Sequence, residues 1–133
     1  IFPGPDDSNP WNLTDTGGRL FFTADDGVNG RELWVSDGTE ANTYMVKDIR
    51  SSTIYAGYRY FTNVGGILYF TVNDGVHGPE IWKSDGTESG TTLVKDISPV
   101  WNSEPYALTN VSGTLFFRAD DGTNGDELWK TDG

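Results

Sequence analysis

Short runs in which apolar and polar residues alternate recur along this chain, and no stretch carries the 3.6-residue period of an amphipathic helix. Leu20-Phe21-Phe22-Thr23-Ala24 is echoed by Leu68-Tyr69-Phe70-Thr71-Val72 and by Leu115-Phe116-Phe117-Arg118-Ala119. Alternation sends Leu20, Phe22 and Ala24 to one face of a strand and Phe21 and Thr23 to the other. Both faces are largely apolar, so each such strand is expected to lie between neighbouring sheets. A shorter strand precedes it, at Trp11–Asp15, Tyr60–Val64 or Tyr106–Val111. The pair is joined by Gly17-Gly18, Gly65-Gly66 or Ser112-Gly113, small residues suited to a primed hairpin turn. A third strand follows a polar loop predicted over Asp25–Glu32, and it ends at the turn signal Ser36-Asp37-Gly38-Thr39 or its counterparts. A fourth is predicted at Tyr44–Asp48 and at Thr92–Asp96.

The third strand carries the most regular signal. Glu32-Leu33-Trp34, Glu80-Ile81-Trp82 and Glu127-Leu128-Trp129 are spaced by 48 and 47 positions, each followed by Asp-Gly. A fixed period of this size marks an array of one supersecondary unit. The copies are residues 1–48, 49–96 and 97–133, and the third stops before its fourth strand. Four antiparallel strands in about 48 residues predict an all-β chain of β-propeller-type blades, with a linear solenoid as the alternative. Two full blades and three strands of another cannot close a ring. The expected partners are therefore a second copy, giving a six-bladed ring, or neighbouring repeats of a longer array. The chain begins without Met or a basic leader, as expected of a segment of a longer precursor.

The pattern Leu20–Phe22, Asp26–Gly30, Glu32–Thr39 and Val46–Ile49 returns as Leu68–Phe70, Asp74–Gly78, Glu80–Thr87 and Val94–Ile97. It resembles the ELWxxDGT repeat of large bacterial surface proteins. The resemblance implies a secreted or cell-surface module without catalytic activity. The second copy departs at residues 49–57, where Ser51-Ser52-Thr53-Ile54-Tyr55 replaces a segment rich in Pro.

Charge and composition narrow the partners. Twenty acidic against nine basic side chains give a net charge of −11, which disfavours nucleic acid and anionic lipid. No apolar run is long enough to span a bilayer as a helix, so membrane insertion is not expected. With no cysteine, thiol chemistry and disulfides are excluded.

Candidate chemistry falls into three groups. Glu32, Glu80 and Glu127 share a strand face with Trp34, Trp82 and Trp129. Their recurrence favours a structural role, a buried Trp and a Glu accepting backbone N–H groups, over a sugar platform. The acidic loops offer Asp25, Asp26, Asn29, Asp74, Asp120, Asp121 and Asn124 as candidate ligands for calcium, the one cofactor considered. The aromatics that differ between copies, Trp11, Tyr55, Tyr58, Tyr60, Trp101 and Tyr106, either plug the gaps between blades or line a rim that binds a glycan or protein. Function is thus expected to be that of a non-catalytic extracellular scaffold, with a lectin-like, calcium-assisted binder as the alternative.

Overall fold

The computed structural model describes residue 1 and residues 6–51, 55–99 and 102–133. These contain eleven strands and no helix. Strands β1 (Trp11–Asp15), β2 (Leu20–Asp25), β3 (Arg31–Ser36) and β4 (Tyr44–Lys47) form one antiparallel sheet. The second comprises β5 (Arg59–Val64), β6 (Ile67–Asn73), β7 (Pro79–Ser84) and β8 (Thr92–Lys95). The third holds β9 (Tyr106–Val111), β10 (Thr114–Asp120) and β11 (Asp126–Thr131) in sequential order. The polar loop is shorter than the pattern predicts. Asp25 still pairs in β2, opposite Arg31, and Ala24 opposite Glu32, so the ladder extends almost to the reversal.

Register repeats from sheet to sheet. Phe22 faces Trp34, Phe70 faces Trp82 and Phe117 faces Trp129. The first hairpin turn behaves as its composition requires, because both central residues need positive φ. Gly65 and Gly66 have φ 61° and 89°, and Ser112 and Gly113 have 50° and 89°. Each first strand also carries a bulge containing a left-handed residue, Asn12, Tyr60 or Ala107, with φ of 57–58°. Such a conformation costs a non-glycine residue on the order of 1 kcal/mol, and here the bulged pairing imposes it in every copy.

The sheets pack face to face. From the first sheet Phe21, Leu33, Val35 and Val46 meet Leu68, Phe70, Val72 and Trp82 of the second, with Ile49, Ala56 and Tyr58 of the connector between them. The opposite face of the second sheet sends Tyr69 and Ile81 against Leu115, Phe117 and Ala119 of the third, with Ile97 between. Neither face of the middle sheet could stay in water. Burial at about 25 cal/mol per Å² of apolar area makes these two layers the main source of stability.

The sheets approach most closely through their first strands, β1 beside β5 and β5 beside β9. A ladder of amides ties them together. Asn63 Nδ2 donates to the carbonyl of Asp15 at 3.0 Å, and Asn110 Nδ2 donates to the carbonyl of Asn63 at 2.9 Å. The same side chains accept Gly66 N–H and Gly113 N–H through Oδ1, so one residue caps its own hairpin and docks the preceding sheet. At the other side of each sheet a lysine of the fourth strand reaches the next tryptophan. Lys47 Nζ stands 5.9 Å from the Trp82 ring and Lys95 Nζ 5.3 Å from Trp129, cation–π geometry repeated across both junctions.

Candidate functional site

The acidic loops are built by their own carboxylates. Asp26 Oδ1 accepts the N–H groups of Val28 and Asn29 at 2.9 and 2.8 Å, and Oδ2 accepts Asn29 Nδ2 at 2.7 Å. Asp121 does the same with Thr123 and Asn124. In the middle copy Asp74 accepts Val76 and His77 N–H, while the His77 Nδ1 lies 2.6 Å from Asp74 Oδ2. Asp25, Asn73 and Asp120 each accept the N–H of the glycine two residues on. Asp37 and Asp85 likewise accept Thr39 and Thr87 N–H at 3.0 and 2.8 Å. Much of the acidity therefore serves as turn capping. Several oxygens that a cation would use thus already accept hydrogen bonds, and among the described residues no three acidic or histidine side chains converge.

The recurrent glutamates lie inside the protein. Glu32 is 2% exposed, and its Oε2 accepts the Ile49 N–H at 3.1 Å and the Tyr58 hydroxyl at 2.5 Å. Glu80 is fully buried, and its Oε2 accepts the Ile97 N–H at 3.4 Å. Burial pushes both carboxyls up to about 7, against the pull of the hydrogen bonds they accept. Burial and the adjoining Glu32 also hold the Tyr58 phenol well above its usual range, so it remains a neutral donor. The sugar-platform arrangement is thus absent at Glu32 and Glu80: each anchors the connector that enters the next sheet. Glu127 is exposed, as is its neighbour Leu128.

Of the connector aromatics, Tyr58 is 1% exposed, with its ring stacked on Phe70 at 5.9 Å. It fills the first junction and offers no face to a ligand. Trp11 and Tyr55 are exposed, and with Asn12, Arg31 and the edge of Tyr58 they line a cavity of about 300 Å³. Tyr55 is shared with a neighbouring groove of about 350 Å³ at the second junction, whose walls include Arg59, Tyr60, Glu104 and Tyr106. Five of the six connector aromatics therefore gather around two adjoining cavities, and the sixth, Trp101, lies outside the described residues. Sequence reasoning named Tyr60 among the connector aromatics but did not single out Arg59 or Glu104 as members of this groove. Their signal was available: each differs from its counterparts in the other copies, whereas framework residues recur.

The third sheet ends the stack. Its outward face carries Leu128 and Arg118, the latter paired with Asp126 at 2.7 Å and lying 4.8 Å from the Tyr106 ring. Among the described residues strand β11 pairs with β10 alone, whereas β3 and β7 are each covered by a fourth strand. Comparison with known proteins found no match to this chain among family models, curated proteins or solved structures.

Proposed function

We propose that this chain is a non-catalytic repeat scaffold of the secreted or cell-surface kind, whose blades complete a propeller by packing against a second copy. The observation that carries the reading is one position seen three times. Leu33 is 0% exposed and Ile81 1%, but Leu128, their counterpart on the third sheet, is 73% exposed. The outer sheet thus presents an uncovered version of the face that is buried at both internal junctions. A second copy brings an equivalent sheet, so the contact repeats chemistry the chain already uses. Light scattering at about 50 μM should give the mass of two chains, and Leu128→Glu should return it to one. A one-chain mass at every concentration, or a dimer indifferent to Leu128→Glu, would remove this reading.

A second reading rests on the groove at the second junction. Tyr55 and Tyr60 are 54% and 44% exposed there, beside Arg59 and Glu104. Exposed rings next to charged hydrogen-bonding groups suit the apolar face and hydroxyls of a sugar. A glycan array should then show binding that Tyr60→Ala weakens at least tenfold, with or without added calcium. Signals unchanged by that substitution would dispose of the lectin-like alternative.

A further inference from the structure

We infer that the junction between the second and third sheets holds a divalent cation of the calcium class, ligated by Asp96, Ser98 and Glu80. This inference is independent of the proposed function. Glu80 and Ser98 are 0% and 2% exposed, yet Glu80 Oε1 and Ser98 Oγ have no hydrogen-bond partner among the described residues. Asp96 Oδ1 is in the same condition, as is its counterpart Asp48 Oδ1 at the first junction. The bond from Ile97 N–H to Glu80 Oε2 holds the glutamate against the Asp96–Ser98 segment that carries the other two oxygens. Asp96 and Ser98 also line a cavity of about 200 Å³ with His77 and Asn102 on its walls.

An unpartnered buried oxygen is costly, and three together call for a common partner. The partner must offer positive charge to carboxylates and accept a hydroxyl lone pair, which describes a hard cation with oxygen preference. The first junction shares the unpartnered aspartate but differs at the glutamate and at the serine, where it has Arg50. There the Tyr58 hydroxyl donates to Glu32. The residue at the matching position of the next copy is Pro105, which has no donor to give. The same glutamate is thereby left without its tyrosine, with the Ser103 hydroxyl as its side-chain donor and Oε1 still unpartnered. His77 turns its Nδ1 to Asp74 and is not part of the proposed ligand set. With two carboxylates and one hydroxyl, the remaining positions fall to water, and affinity should be modest, on the order of 10⁻⁴–10⁻³ M.

The test is calorimetric titration of the chelator-treated chain with CaCl₂ at pH 7.5, paired with thermal melts in 10 mM CaCl₂ or in chelator. One site and a melting temperature raised by about 5 °C are expected. Asp96→Asn and the milder Ser98→Ala should each abolish both responses. Asp48→Asn, the counterpart in the first junction, should leave them intact. No heat and no shift would overturn the inference, as would a response that survives both Asp96→Asn and Ser98→Ala. A chain stabilised by acid alone and indifferent to calcium would also overturn it, by showing that a proton takes the place of the cation.

Discussion

Phe70→Ala should lower the free energy of unfolding by about 3–5 kcal/mol, a large loss for a single truncation. Phe70 is fully buried on β6, with the Tyr58 ring 5.9 Å away on one side and Phe61 at 5.5 Å on another. Its removal opens a cavity where the first sheet, the second sheet and the connector meet. Two neighbouring sheets lean on that point, and β6 is hydrogen-bonded on both sides, so little collapse can fill the void. Domains of this size are stable by about 5–15 kcal/mol, so the variant should be partly unfolded at 37 °C. Urea denaturation followed by tryptophan fluorescence measures the loss. Leu33→Ala and Leu128→Ala supply the internal comparison, one on the covered face and the other on the open one. Leu33→Ala should cost about 2–5 kcal/mol, and Leu128→Ala less than about 0.5 kcal/mol at concentrations where the chain is monomeric. A cost at Phe70 below about 1 kcal/mol would mean that the first two sheets do not stack in solution.

The strands themselves were legible because three kinds of signal agreed at each. Alternation located β2, β6 and β10; Gly-Gly or Ser-Gly located the hairpin before them; Asp-Gly located the turn after β3 and β7. Repetition made a weak pattern strong, since chance would not align it three times. The bulges in the first strands were not legible. Their left-handed positions hold Asn12, Tyr60 and Ala107, which share no side-chain chemistry, and the conformation is dictated by pairing and not by the residue. The acidic loops read two ways in sequence, as calcium ligands or as ordinary hairpin loops, for a physical reason. A carboxylate capping its own turn and a carboxylate awaiting calcium look alike in sequence, and only the direction of the oxygens separates them. Tyr58 illustrates the same limit. Nothing local distinguishes it from Tyr55, three residues away, yet one is 1% exposed and the other 54%. The difference arises from Glu32, which lies 26 positions earlier and receives the Tyr58 hydroxyl.

That buried glutamate and its counterpart set the second large effect, a loss of stability as pH rises from about 5 to 8. Glu32 and Glu80 hold their protons up to about 7 in the folded chain, because burial penalises the ionised form. In the unfolded chain they titrate near 4.5. Between those values the folded state binds more protons, so the unfolding free energy falls with increasing pH. At about 1.4 kcal/mol per unit, each carboxyl should remove on the order of 2–3 kcal/mol across the window. His77 acts in the same direction: its hydrogen bond to Asp74 raises it above the 6.5 of the free residue, so its contribution is lost as pH climbs through the folded value. Its exposure keeps that contribution small. Asp85 opposes the trend at the acid end. Hydrogen bonds from Thr87 lower it below 3.8, and the stability they provide vanishes only as pH falls beneath that range. Maximum stability is therefore expected near pH 5, measured by urea titration in chelator so that no cation intervenes. The double variant Glu32→Gln, Glu80→Gln carries neutral amides where the native chain carries protonated acids. It should flatten the profile between pH 5 and 8 and exceed the native chain at pH 8, with little difference at pH 5. A native profile that is already level over this range would show that both carboxyls ionise without penalty, and hence that the junctions admit water.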